Sequence, residues 1–268
     1  MATILDTIIA DKRIEVEQQK QTVPLEQLKG QLEGLPKCRN FFKAVTKPNA
    51  RGINVIAEVK KASPSAGLIR PDFDPARIAA IYEQCGADAI SVLTDMTYFQ
   101  GCLAYLTAVK DVVSIPVMRK EFIIDPYQVY EARAAGADAI LLIGDVLSPG
   151  QLSDLMILAS ELTLSVLLEV HDIDVLMQVR SLIGFPKAGY SVLGINNRNL
   201  TTMEVDINTC TRLAELVENC EGLVAESGIK TRADVEIIKQ SGATACLIGQ
   251  TLCEHPDIAA KFNELFSL

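Results

Sequence analysis

Seven polar side chains stand at, or one or two residues past, the ends of aliphatic runs: Glu58, Lys60, Lys120, Glu169, Asn196, Arg198 and Glu226. Three carboxylates and two ammoniums can pass protons to and from a reacting group, while an amide and a guanidinium can orient an anionic substrate. Glu58 and Lys60 are two apart, so in a strand they leave from the same face. One charge at a strand end is usually the first solvated loop residue. A set of them is costly to desolvate unless it lines a working mouth. Two glycine turns, Ser227-Gly228 and Gly249-Gln250, have the composition that lets backbone N–H groups approach a phosphate. Either turn alone reads equally well as an ordinary tight connection, and together with Ser63 and Lys60 the phosphate reading gains. His171 follows Glu169 by two residues and precedes Asp172, which places it in a helix-capping region by this reading, rather than as a base. No G-x-S-x-G nucleophile signature occurs.

These residues need elements to hold them. From Ile53 onward a run of aliphatics, a polar or glycine turn and a helical stretch repeat. Eight runs start near Ile53, Asp88, Ile115, Asp138, Ser165, Ser191, Gly222 and Thr244. Gly86-Ala87-Asp88-Ala89-Ile90 recurs as Gly136-Ala137-Asp138-Ala139-Ile140, and more loosely as Gly242-Ala243-Thr244-Ala245-Cys246. The glycine ends a helix in the left-handed region, and the small residues turn into a buried strand. Strict alternation of strand and helix implies a parallel sheet, and eight units imply closure into a (β/α)8 TIM barrel. An open doubly wound sheet is the structural rival, and no G-x-G-x-x-G follows the first strand to support it. In such a barrel the seven side chains share the C-terminal mouth, with charge converging there and not at the opposite end. Residues 1–50 read as a helical extension covering that mouth, with helices around Ile4–Ile9, after Pro24 and over Phe41–Val45, and residues 1–268 read as one barrel domain.

Composition narrows the function classes. The formal net charge is −9, which disfavours nucleic acid and anionic membrane surfaces as partners while leaving room for a local basic pocket and a phosphorylated small molecule. The seven cysteines are dispersed, with no C-x-x-C pair and two histidines, so reduced and mostly buried thiols are expected, without a disulfide framework or metal site. No signal region and no apolar stretch near the ~20 residues of a membrane span is visible, so a cytoplasmic, monomeric protein is the expectation.

The motifs Ile56-Ala57-Glu58-Val59-Lys60, Ser63-Pro64-Ser65, Leu93-Thr94-Asp95, Tyr98-Phe99, Arg119-Lys120-Glu121-Phe122-Ile123 and Leu168-Glu169-Val170-His171 occur in that order. Gly194-Ile195-Asn196-Asn197-Arg198-Asn199-Leu200, Ala225-Glu226-Ser227-Gly228-Ile229 and Leu247-Ile248-Gly249 follow. Together with Ala10-Asp11-Lys12-Arg13 near the start, the chain resembles the indole-3-glycerol-phosphate synthase family of tryptophan biosynthesis along nearly its whole length. The resemblance implies a lyase that closes a ring on 1-(2-carboxyphenylamino)-1-deoxyribulose 5-phosphate and then loses carbon dioxide and water. It implies Lys120 as the acid at the carbonyl oxygen, with Glu169, Glu58 and Lys60 placed for the dehydration; whether Lys60 or Glu169 delivers the second proton stays open. By the same resemblance Asn196, Arg198 and Glu226 orient the substrate, and Phe99 and Phe122 pack on its ring. Lys60, Ser63, Ser227, Gly228, Gly249 and Gln250 hold the phosphate, no cofactor is required, and weak contact with other pathway enzymes is conceivable. Gln250 departs from the smaller residue the family often has there, and the stretch 180–190 is longer than expected, which puts it on the far side of the barrel. A phosphosugar isomerase or Schiff-base aldolase, and a barrel that only binds, are the rival readings.

Overall fold

The computed structural model describes residues 3–199, 202–217 and 222–267; Leu200 and Cys220 of the sequence reading lie outside them. Eight parallel strands form a closed barrel: β1 (Asn54–Val59), β2 (Ala89–Leu93), β3 (Val117–Lys120), β4 (Ala139–Ile143), β5 (Ser165–Val170), β6 (Ser191–Asn196), β7 (Leu223–Glu226) and β8 (Ala245–Ile248). Closure runs from β8 back to β1, with Asn54 level with Ala245 and Ala57 with Ile248. Alternation sorts each strand. Ile56, Met118, Leu141, Leu167, Val192, Val224 and Leu247 fill the interior. Val55, Ala57, Val59, Leu168 and Val170 face outward to the helices.

Helices follow the strands at Pro75–Gln84, Leu103–Val112, Pro126–Ala134, Pro149–Glu161, Ile173–Val179, Asn208–Ala214, Arg232–Gln240 and Ile258–Phe266. Their starts are written in the sequence. Asp74, Asp125, Ser148, Asp172, Thr231 and Asp257 each accept an N–H of the first turn, and proline opens three of these helices. The repeated glycines do end helices with positive φ, at 93°, 92° and 81° for Gly86, Gly136 and Gly242. The aspartates of the repeat have their own task. Asp88 accepts from Val55 N and Asp138 from Val117 N, both at 2.9 Å, which satisfies an amide at the start of the adjacent strand. Lys47 and Arg51 surround Asp88, and Lys110 meets Asp138. The N-terminal end of the barrel therefore carries charge too, against the expectation. There it is structural, because each carboxylate is fully engaged.

Three helices precede the barrel: α1 (Ile4–Thr22), α2 (Leu25–Gln31) and α3 (Phe41–Thr46). They divide between the two ends. Ile4, Leu5 and Ile8 of α1 line a cavity at the C-terminal mouth. Val16 of α1 and Leu28 of α2 pack on Tyr127, outside the barrel. Phe41 and Val45 of α3 are fully buried against Ile56, Ala89 and Ala139, and Asn54 Nδ2 donates to the carbonyls of Val45 and Lys47. Thus α3 plugs the N-terminal end, and only α1 of the 1–50 stretch sits over the mouth. The 180–190 segment also lies at the N-terminal end, where Tyr190 O accepts from Val166 N at the start of β5. Of the six described cysteines, all free, Cys210, Cys246 and Cys253 are buried, and Cys38, Cys85 and Cys102 are only half-buried.

Candidate active site

Strand parity brings the predicted side chains together. Glu58 (β1), Lys120 (β3), Glu169 (β5), Asn196 (β6) and Glu226 (β7) share the inward parity of their strands, and with Lys60 and Arg198 just beyond the strand ends they line one cavity of about 410 Å³ at the C-terminal mouth. Lys120 Nζ bridges the centre, 3.0 Å from Glu169 Oε2 and 2.8 Å from Glu226 Oε2. Asn196 Nδ2 donates to Glu169 Oε1 at 2.9 Å. Lys60 Nζ lies 2.6 Å from Glu58 Oε1, and Ser91 Oγ approaches Glu58 Oε2 at 3.5 Å. Arg198 is held by its own backbone N–H to Asn196 Oδ1 and by a guanidinium bond to Met203 O.

Two glycines make this geometry possible. A Cβ at Gly194, between β5 and β7, would run into Glu226 Oε1. A Cβ at Gly249 would lie 2.5 Å from Glu58 Oε1 and 2.9 Å from Glu58 Cβ. Glycine at these inward positions is space for carboxylates.

The electrostatics separate the two central acids. Burial pushes the Glu226 carboxyl up, the Glu169 charge adds to it, and the group reaches about 8 despite Lys120. Burial acts on Glu169 in the same direction, but Lys120, His171 and Asn196 outweigh it and hold Glu169 well below the ordinary carboxylate range. Of two acids sharing one cation, one keeps its proton at neutrality and the other gives it up. For Lys120 burial favours the neutral amine, but Glu169, Glu226 and Glu58 together raise it above its ordinary value, so it stays an ammonium.

The cavity has two unlike walls. On the adjacent strands β7, β8 and β1 the lining is Ser227, Gly228, Gly249, Gln250, Lys60 and Ser63. Ser227 and Gly228 have φ of 65° and 84°, a left-handed pair that turns the chain sharply at the rim. The Gln250 side chain donates to Glu254. The loops after β2 and β3 supply Phe99 and Phe122, with ring centroids 6.2 Å apart and tilted by 40°, next to the aliphatics of α1. Among the described residues no three His, Cys, Asp or Glu side chains group as metal donors, and no helix is long and apolar enough to cross a membrane.

Two features were missed in the sequence. His171 is not a cap: Asp172 caps the helix, accepting from Val175 N. The imidazole is buried, with Nδ1 2.7 Å from Asp145 Oδ2 and Nε2 2.9 Å from Glu169 Oε1, the latter contact close but out of line. The signal was present, because His171 has the inward parity of Glu169. Second, Lys12 of α1 is 2% exposed and sits 2.9 Å from Asp95 Oδ2, 3.0 Å from Glu121 Oε1 and 2.9 Å from Glu15 Oε2. Thr94 Oγ1 donates to Glu121, Arg119 joins from β3, and Tyr98 bonds Asp11. This buried ion cluster fastens α1 to the loops after β2 and β3. Burial disfavours the Lys12 ammonium, yet Glu121 and Asp95 raise it above its ordinary value.

Solved structures with similar backbones show the same barrel. The 3-hexulose-6-phosphate synthase of Salmonella typhimurium superposes with a TM-score of 0.63 at 15% identity, over 80% of this chain and 96% of that one. A chain from the tryptophan synthase complex of Pyrococcus furiosus gives 0.59 at 12% identity, over 81% and 98%. Sequence is far more specific. Indole-3-glycerol phosphate synthases from Rhodopirellula baltica and Polynucleobacter asymbioticus are each 45% identical, covering 99% of both chains in the first case and 100% of both in the second. The family model described as indole-3-glycerol phosphate synthase matches residues 5–265. The chain belongs to the indole-3-glycerol phosphate synthase family.

Proposed function

We propose that this chain converts 1-(2-carboxyphenylamino)-1-deoxyribulose 5-phosphate into indole-3-glycerol phosphate, carbon dioxide and water, with the mouth residues in the following roles. The observation that carries the reading is the split cavity: an aromatic and aliphatic wall, a hydroxyl- and glycine-rich rim, and a proton-bearing floor between them. The carboxyphenyl ring suits Phe99, Phe122 and the α1 aliphatics. The phosphate suits Ser63, Lys60 and the Ser227-Gly228 and Gly249-Gln250 turns.

Ring closure turns the ribulose carbonyl oxygen into a hydroxyl, so it needs a proton as the new carbon–carbon bond forms. Lys120 is an ammonium aimed into the cavity and supplies it. Loss of carbon dioxide leaves the bonding pair in the ring. Dehydration then needs one group to take a proton from the ring carbon and another to protonate the departing hydroxyl. Glu169 is held as an anion, which suits it to the base role and leaves Lys60, beside Glu58, as the acid. Asn196, Arg198 and Glu226 orient the substrate and keep the charges in register. A Schiff-base role for Lys120 is disfavoured, since an ammonium held against the ionised Glu169 carboxylate is a poor nucleophile. The test is indole fluorescence on adding the substrate to the purified chain, whose lack of Trp gives a low background. Appearance of indole emission supports the reading, and its absence with the folded protein overturns it.

A further inference from the structure

The His171–Asp145 pair is left over once the floor of the cavity has its roles. The chain rises along β5 with Glu169 inward, Val170 outward and His171 inward again. The imidazole is therefore wedged between Glu169 and the loop after β4. That loop is fixed to the same strand, because Gly144 N donates to Glu169 O at 2.9 Å. A Cβ at Gly144 would lie 2.7 Å from Val175 Cγ1, so the close approach needs glycine. Asp145 is thereby delivered to Nδ1 at 2.7 Å, with its carboxylate 19% exposed, while the imidazole is 4% exposed.

Both ring nitrogens face carboxylate oxygens. A neutral imidazole has one N–H, and its other nitrogen would turn a lone pair toward an anion. Nδ1 bonds Asp145, and although Nε2 is out of line for a hydrogen bond to Glu169, a positive ring answers the carboxylate 2.9 Å away where a lone pair would face it unfavourably. The charged groups facing it are Asp145 from the loop after β4 and Glu169 from β5, with Lys120 and Glu226 lying beyond Glu169. Resting on the proposed roles above, we propose that His171, oriented by Asp145, is a positioning residue that holds Glu169 as an anion in a single orientation. Its contact with Oε1, beside that of Asn196, leaves Oε2 to Lys120 and the substrate. When Lys120 gives up its proton in ring closure, Glu169 loses that cation. The imidazolium remains, so Glu169 enters the dehydration still ionised. Burial works against the charged imidazole, but the hydrogen bond to Asp145 and the nearby Glu169 carboxylate outweigh it and raise the group to about 10.

The test pairs Asp145→Asn with His171→Asn and reads two independent signals. Imidazole 15N shifts are resolvable because the chain has two histidines, and His255→Gln assigns the other. In the wild type His171 stays doubly protonated from pH 6 to 9; in Asp145→Asn it titrates within that range. In steady-state assays both variants lose about 10–100-fold in kcat with KM within about twofold, the pattern of a misplaced catalytic group. Asp145→Asn also acquires a new fall in kcat on the alkaline side, which His171→Asn lacks. A neutral His171 at pH 7 in the wild type overturns the proposal. So do variants that lose only melting temperature while keeping the wild-type kcat and pH profile. If the wild type fails to turn over the carboxyphenylamino substrate, the proposed function falls, and the imidazole shifts still decide the clamp.

Discussion

Replacing Glu226 by Gln should flatten the pH dependence of stability in a calculable way. Glu226 is buried, with a side-chain exposure of 1%, and its folded-state pKa is near 8, against an ordinary value of 4.5. A group raised in the folded state stabilises most fully below its unfolded pKa, and that contribution is lost as pH rises toward the folded value. The window is therefore about pH 4.5 to 8. Within it the unfolded chain releases a proton that the folded chain retains, which costs about 1.36 kcal/mol per pH unit. Between pH 5 and 7 the wild type should lose about 2–3 kcal/mol from this group alone. Gln keeps the shape of the protonated carboxyl and cannot ionise, so Glu226→Gln should lack the loss. Glu169 has the opposite sign, its stabilisation being lost as pH falls, and it contributes alike to both proteins. The assay is urea denaturation followed by far-UV circular dichroism at pH 5, 6 and 7, with m-values compared. The stability difference, variant minus wild type, should climb by about 2–3 kcal/mol across the series. Parallel curves would refute the idea that the mouth holds a protonated carboxyl.

The other perturbations test separate parts of the site. Lys120→Ala should lower kcat by about 10²–10⁴-fold, the worth of a positioned acid, with the far-UV spectrum of the wild type; near-normal turnover would remove Lys120 from the mechanism. Gly249→Ala should be harmful although its φ is ordinary, because the new methyl meets Glu58 Cβ, which is tied to β1 and cannot swing aside. A loss of about 10–100-fold in kcat/KM is expected, and activity within twofold of wild type would mean that the strand yields easily. Lys12→Met should leave Asp95 and Glu121 short of their shared cation and destabilise the fold by about 3–5 kcal/mol, with α1 becoming sensitive to limited proteolysis. An unchanged melting temperature and protease pattern would show that the apolar contacts of α1 suffice.

The strands, their order and most of the mouth were legible because they rest on local rules. Aliphatic runs mark buried parallel strands, and glycine and N-cap residues punctuate the helices. The period of two assigns Glu58, Lys120, Glu169, Asn196 and Glu226 to the inside from their positions alone. The family motifs added the substrate, which no spacing rule contains. His171 was misjudged because its neighbour Asp172 does cap a helix, and the local signal hid the parity of the residue beside it.

What the sequence could not decide is everything set by the closing of the barrel. Closure, not chain position, puts Lys120 between Glu169 and Glu226, which are 49 and 106 residues away. The same enclosure excludes water, which drives the Glu226 carboxyl up to about 8, while the Lys120, His171 and Asn196 groups it gathers around Glu169 outweigh burial there and hold that carboxyl down. It sends Phe41 and Val45 to plug one end while α1 covers the other, and it turns Lys12 into a buried bolt. The sequence by itself determined which side chains face inward, because alternation along a strand is a property of the local backbone. Their protonation states and partners depend on distance and desolvation between remote segments, and only the tertiary structure fixes those.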